Sequence, residues 1–236
     1  MLLDRRHSFF QNLLRGIPLQ YLLREAHFFN SRFYVNEDVL IPRSETELLV
    51  EDALDLIRQK KYQSVADIGT GSGCVALSLL TESNEDLRVF AVDIDQKALD
   101  VCAVNAFRLA NKKPRGSSLE LLLGDRVSPL ATKVDLIATN PPYIDEDADR
   151  AGVHFQTDQW EPKKALYLEG ESYKDWFEEL FKTSYDKLNN NGAFLMEGHE
   201  NKLSLLAPLA KKYFSKVQLK IDYSQADRFL LAFKDE

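Results

Sequence analysis

Val65-Ala66-Asp67-Ile68-Gly69-Thr70-Gly71-Ser72-Gly73 joins a short apolar run to three glycines at alternate positions. Residues 65–68 form a short apolar run suited to a buried strand, and residues 74–81 continue as a helix. Glycines at such a strand-to-helix bend let the backbone turn sharply and approach a ligand without a Cβ in the way. The spacing is G-x-G-x-G. A dinucleotide fingerprint needs its third small residue at position 74, where this chain has Cys74, and no P-loop lysine follows.

Outward from this turn the pattern repeats. Apolar runs at 65–68, 89–92, 119–123, 134–138 and 193–196 alternate with helical stretches at 74–81, 96–111, 173–188 and 203–214. Strands alternating with helices predict right-handed βαβ units and a parallel sheet covered on both faces. The runs at 217–221 and 228–233 are joined by a link too short for a crossover helix, so they are expected to pair antiparallel. Asn189-Asn190-Asn191-Gly192 reads as a turn before one strand. Upstream, residues 2–15 read as a short helix stopped by Gly16 and Pro18, and residues 27–36 as a β-hairpin. Ser44-Glu45-Thr46-Glu47 reads as a capping box that opens a helix running to about Lys60.

The chain has 236 residues, a net charge of −7 and two cysteines, Cys74 and Cys102, both in apolar segments. Two cysteines so placed argue against a disulfide framework. No apolar stretch of ~18 residues is present, so a cytoplasmic protein without a membrane span is expected. The acidic balance disfavours a grip on a long phosphate backbone. His7, His27, His154 and His199 lack ligand spacing, so no metal site is expected.

The acid-preceded G-x-G-x-G resembles motif I of class I methyltransferases, which implies a Rossmann-like doubly wound sheet and S-adenosylmethionine as cofactor. The candidate cofactor contacts are then Asp67, Gly69, Thr70, Gly71, Ser72 and Gly73. Asp93 ends the second strand 24 residues after Gly69, where a carboxylate can take both ribose hydroxyls, while Asp95 caps the next helix. Asp125 and Arg126, after the third strand, border the adenine; a plain turn role for Asp125 stays open. The fourth strand runs into Asn140-Pro141-Pro142-Tyr143. A planar nitrogen must lose conjugation and aim its lone pair at the methyl group before it can be methylated. The Asn140 side-chain oxygen and the Pro141 carbonyl can each accept one N–H, and Tyr143 can lie on the planar acceptor. Two prolines remove competing N–H donors. Positioning of this kind can supply up to ~7–11 kcal/mol of a barrier.

At these residues the chain resembles the HemK/PrmC family of release-factor glutamine N5-methyltransferases. The resemblance rests on Pro18-Leu19-Gln20-Tyr21, Phe28-Phe29, Val39-Leu40-Ile41-Pro42-Arg43, Glu45-Thr46-Glu47-Leu48-Leu49-Val50-Glu51, the 69–73 loop, Asp93, Asn140–Tyr143 with Ile144-Asp145, and Glu161-Pro162 with Ala165-Leu166. It implies a remnant N-terminal helix (1–17), a linker with hairpin (18–43) and a catalytic domain (44–236). It also implies methyl transfer to a glutamine amide of a protein, a release factor, with a partner subunit conceivable in place of a longer N-terminal domain. A nucleic-acid adenine N6-methyltransferase, a ribosomal-protein glutamine methyltransferase and a non-catalytic cofactor-binding scaffold are the alternatives. Departures from the family pattern are Arg126 beside the adenine, Ser44 for a proline, and Met196-Glu197-Gly198-His199 for E-I-G. Arg43, Glu45 and Glu47 are candidates for the acceptor pocket or for capping; residues 145–150 read as a solvated lid, and Trp160 and Trp176 as anchors.

Overall fold

Two kinds of helix frame this chain: long ones whose apolar stripe covers a sheet, and short ones that close over its edge. The computed structural model describes residues 2–168 and 172–235. It begins with helices α1 (Leu2–Leu14) and α2 (Leu19–Leu23), the hairpin β1 (Ala26–Phe28) and β2 (Ser31–Phe33), and α3 (Glu45–Lys60). Then follow β3 (Ser64–Ile68), α4 (Cys74–Glu82), β4 (Arg88–Asp93), α5 (Gln96–Leu109), β5 (Ser118–Leu123) and β6 (Val134–Thr139). The short helices α6 (Glu146–Asp149), α7 (Phe155–Trp160) and α8 (Lys163–Leu166) precede α9 (Tyr173–Lys187). The chain ends with β7 (Leu188–Glu197), α10 (Leu203–Ala210), β8 (Lys216–Ile221) and β9 (Asp227–Phe233).

Strands β3 to β9 form one sheet in the order β5-β4-β3-β6-β7-β9-β8. The pairs β3–β4, β4–β5, β3–β6 and β6–β7 are parallel, while β7–β9 and β8–β9 are antiparallel, the last pair as its short connection predicts. The chain builds outward from β3 to β5, then returns to lay β6 on the other side of β3. Strand order reverses there, so a crevice opens at the carboxyl ends of β3 and β6. One face of the sheet packs Leu136 and Leu195 against Leu49 and Ile57 of α3 and Leu77 and Leu79 of α4. The other packs Ile137 and Phe194 against Phe177 and Phe181 of α9 and Leu206 of α10. Each fully buried side chain of this size contributes about 1.5–3 kcal/mol. A third cluster, Tyr21, Val35, Val39 and Ile41 with Ala98 and Val101, seats the N-terminal segment on α5.

Four local expectations are corrected. Ser44 makes no side-chain cap bond and Glu47 is not its box partner, because Glu47 Oε1 accepts the Phe29 N–H at 2.9 Å and so ties the hairpin to α3. Asn189–Gly192 is part of β7, its turn-like character absorbed in a register irregularity opposite β6, with Asn191 at φ 61° and Asn189 Nδ2 donating to Asp135 Oδ1. The helix expected to reach 214 ends at Ala210, two residues past Pro208. Residues 145–150 hold α6 rather than an open lid, and Asp145 and Asp149 pair with Lys202. No helix among the described residues is long and apolar enough to cross a membrane.

Candidate active site

Register places the site. Ile68 pairs with Val92 on one side and Thr139 on the other, and Thr139 pairs with Met196. The next residue of each strand therefore emerges in one row along the sheet edge: Asp93, Gly69, Asn140, Glu197. A cleft of about 410 Å³ lies over much of this row, within the ~300–1,000 Å³ usual for small-ligand sites. Its floor includes Asp67, residues 69–72, Asp93, Asp125, Arg126, Asn140, Pro141 and Pro142, so nearly all the sequence-predicted residues converge. Gly73 and Tyr143 are the two that stand behind the lining. The roof is Asp38, Val39, Leu40, Pro42 and Arg43 with Pro162, Lys164, Ala165, Tyr167 and Leu168. Arg43 Nη2 and the Ile41 N–H both donate to the buried Glu161 carboxylate, at 2.5 and 3.0 Å, which joins the two roof segments.

The 69–73 loop is held from within. The Gly69 and Thr70 amides both donate to Val92 O at 2.9 Å, the Gly71 amide to Asp93 Oδ2 at 2.9 Å, and the Gly73 amide to Thr70 O at 2.8 Å. In a phosphate loop such amides point at the anion. Here the Gly69, Thr70, Gly71 and Gly73 amides are spent, and beside the loop the Asp67 and Asp93 carboxylates line the cleft. Asp67 is 2 % exposed; its Oδ2 accepts from Thr70 Oγ1 at 2.7 Å and from the Ala76 amide at 3.0 Å. Burial, and to a lesser degree Asp93 nearby, pushes its carboxyl up to about 7. Asp93 also accepts the Asp95 amide, and burial raises its pKa as well. Asp95 caps α5 through the Lys97 amide, as predicted. A wall of acceptors suits a ligand rich in hydroxyls and positive charge, and is poorly matched to a polyphosphate. Gly71, at φ 54°, has nothing within 4 Å of where a Cβ would stand, so its backbone borders open cleft.

At the other end, Asn140 O lies 3.9 Å from the position of a Cβ on Gly69, so the two motifs adjoin. Asn140 Nδ2 donates to Thr46 Oγ1 at 3.0 Å, and Thr46 Oγ1 donates to Glu197 Oε2 at 2.6 Å. With Nδ2 engaged, Oδ1 is the amide atom left for a ligand. Tyr143 donates its hydroxyl to the other Glu197 oxygen at 3.3 Å, and its ring stands edge-on to His199. Burial raises the Tyr143 phenol well above its ordinary value. Glu197 is 1 % exposed, and burial pushes its carboxyl up to about 7. Arg126, at φ 49°, packs its guanidinium 4.8 Å from the Trp176 ring, and Trp176 lines the cleft too. Trp160 packs against the Tyr21 cluster as an anchor. Arg43 lines the cleft, whereas Glu45 and Glu47 do not.

Three residues escape sequence reading. Thr46 looked like part of a cap, Glu197 like an off-pattern strand end, and Asn105 like one more position of a helix. Asn105, fully buried on α5, donates to Ser72 O and Tyr34 O and accepts from the Tyr34 amide, bracing the glycine loop against the segment after β2.

The sequence model of the Methyltransferase small domain family matches residues 44–157. The chain is 35 % identical to the release factor glutamine methyltransferase of Enterococcus faecalis over 223 residues, covering 93 % of this chain and 77 % of that one. The chain belongs to the release factor glutamine methyltransferase family. Its likeness to the Bacillus anthracis member is 38 % over 183 residues, and there the chain spans 62 % of the relative's length. Among solved structures, a T. thermophilus 16S rRNA methyltransferase in complex with AdoMet and guanosine superposes with a TM-score of 0.62 at 17 % identity, over 89 % of this chain and 49 % of that one. A methyltransferase from Pyrococcus furiosus superposes with a TM-score of 0.54 at 14 % identity, over 98 % of both chains. These two likenesses establish the class I methyltransferase fold.

Proposed function

We propose that this chain transfers the methyl group of S-adenosylmethionine to the side-chain amide nitrogen, N5, of a glutamine in a peptide-chain release factor, in the cytoplasm. The observation that carries the reading is the Asn140 side chain, whose oxygen is left for an acceptor N–H one strand from the glycine loop. S-adenosylmethionine, when bound, supplies an electrophilic methyl on a sulfonium centre. The Asp67 and Asp93 carboxylates that flank the loop and line the cleft fit such a cationic, hydroxyl-bearing cofactor. In this reading Asp93 takes the ribose hydroxyls, Asp67 and residues 69–73 hold the amino-acid end, and Asp125 and Arg126 border the adenine with Trp176 beside them.

Asn140 Oδ1 and the Pro141 carbonyl accept the two amide hydrogens of the target glutamine. Those bonds turn the nitrogen out of conjugation and aim its lone pair at the methyl group. With the methyl supplied from the sulfonium, whose sulfur would keep the C–S electron pair, the nitrogen would pass one proton to solvent, so no base need act beforehand. Pro142 keeps a competing donor out of the site, and Tyr143, tied back to Glu197, gives the acceptor slot an aromatic wall. The rate gain is chiefly orientation.

The test is transfer of labelled methyl to purified release factor, ribosomal protein or DNA, with the modified residue mapped. Label on a release-factor glutamine is expected; label on DNA alone would overturn the assignment. Asn140→Ala should abolish transfer while calorimetry finds cofactor affinity within a few-fold of the parent.

A further inference from the structure

A side-chain amide is ambiguous. Rotated half a turn it keeps its shape but presents a donor where an acceptor stood. For a site that must accept an N–H, that rotation is the difference between binding and repelling the substrate. We propose that Thr46 and Glu197 act as a positioning relay which fixes the Asn140 amide with its oxygen toward the acceptor. The proposal rests on the reading of Asn140 as the acceptor-binding residue.

The direction of the relay follows from what each group can do. An ionised carboxylate only accepts, so the Thr46 hydroxyl must spend its single proton on Glu197 Oε2, at 2.6 Å. That leaves Thr46 Oγ1 with lone pairs alone, and its neighbour must donate. Only the Nδ2 end of Asn140 can do so, at 3.0 Å. The opposite rotamer would set two lone pairs against each other with no donor between them, so it is disfavoured. Thr46 by itself selects nothing, because a hydroxyl serves equally in either sense. The buried carboxylate at the strand end sets the sense, and the Tyr143 hydroxyl, donating to Oε1, is bound to the same group.

Protonation of Glu197 reverses the logic. The neutral acid can donate to Thr46, Thr46 can then donate to Asn140 Oδ1, and Nδ2 swings toward the substrate. The groups facing Glu197 are Glu45 and Thr46 of α3, Tyr143 after β6, Arg228 of β9 and the Cys74 thiol at the start of α4. Burial outweighs Arg228 and both hydrogen bonds and holds the carboxyl at about 7, so the relay changes sense near neutrality. Turnover at saturating cofactor is expected to fall as pH drops through that value; cofactor affinity is read separately, because Asp67 in the other half of the cleft is also pushed up to about 7.

Thr46→Val, Thr46→Ser, Glu197→Gln and the parent chain are compared in two measurements. In methyl transfer to release factor, Thr46→Val should lower kcat about 10–100-fold with cofactor affinity unchanged, and Thr46→Ser should restore it. Glu197→Gln should flatten the acidic limb of the pH profile. In ¹⁵N spectra of the chain alone, the Asn140 side-chain amide pair should shift with one titration near neutrality in the parent, and should lose that titration in Glu197→Gln. Parent-like kcat in Thr46→Val, or an Asn140 amide signal that ignores pH across the neutral range, overturns the relay. If the amide titrates as described but no glutamine is methylated by the parent chain, the relay stands and the assigned reaction falls.

Discussion

Gly71 and Gly73 sit two residues apart in the same loop, both at positive φ, yet a methyl group added to each should do opposite things. At Gly73, φ is 80°, and a Cβ would lie 2.5 Å from Cys102 Sγ and 3.1 Å from Leu77 Cδ1. Both neighbours sit on packed helices, and Cys102 is fully buried, so neither can withdraw cheaply. The left-handed backbone costs an L-residue about 1–2 kcal/mol and overpacking about 1–3 more, so Gly73→Ala should lose about 2–5 kcal/mol. At Gly71, φ is 54° and no atom lies within 4 Å, so only the backbone term applies, partly offset by a stiffer unfolded chain. The net cost is about 1 kcal/mol. For a chain this long each kcal/mol moves Tm by about 2–4 °C, so Gly73→Ala should melt about 4–20 °C lower and Gly71→Ala only about 2–4 °C lower. Cofactor affinity should follow another order. The Gly71 methyl enters the cleft and blocks binding in a chain that is still folded, as calorimetry below Tm would report. Cys102→Ala in the Gly73→Ala background removes the sulfur and should recover part of the loss. Equal melting of the two single variants, or no recovery in the double variant, would refute the packing argument.

Three further outcomes are expected. Asn105→Leu strands the Tyr34 amide and two carbonyls inside α5's contact and should cost about 2–4 kcal/mol in urea unfolding; a loss under about 1 kcal/mol would show that these groups find other partners. Asp67 and Glu197 have folded pKa values near 7, above their unfolded ones, so the folded chain binds protons that the unfolded chain has released. Stability should therefore rise as pH falls from about 8 to about 5, and then decline below about 4 as Asp158, Asp135 and Asp222, whose pKa values are lowered by hydrogen bonds and ion pairs, become protonated; a urea midpoint higher at pH 8 than at pH 5 would contradict this. Glu161→Gln keeps an acceptor for the Ile41 amide but loses the charge that holds Arg43, and faster hydrogen exchange confined to residues 38–43 is the expected signature; unchanged exchange there would remove Glu161 from its bracing role.

The sheet was legible because its signals are local. Each of β3, β4 and β6 is a short apolar run closed by residues of one kind, glycine, aspartate or Asn-Pro-Pro, and burial on both faces leaves no other use for such runs. The capping box misled for the converse reason. Ser44 and Glu47 satisfy the pattern, but a hairpin amide 18 residues upstream competes for Glu47 and wins. Asn189–Gly192 misled likewise, since its turn propensity is spent on a register irregularity inside β7 rather than on a turn before it.

What stayed hidden at the site is of a different order. Thr46 and Asn140 are 94 residues apart, and Thr46 and Glu197 are 151 apart. No spacing rule connects them, because their meeting depends on β7 lying beside β6 in one register and on α3 crossing above both. A slip of one residue between β6 and β7 would turn Glu197 to the opposite face of the sheet and leave Asn140 without its brace. Asn-Pro-Pro-Tyr therefore describes an acceptor site only in part. On the proposed relay the motif supplies the amide, and a carboxylate on the next strand decides which end of it meets the substrate. The position of Glu197 in the edge row is thus as much a condition of the chemistry as the motif itself.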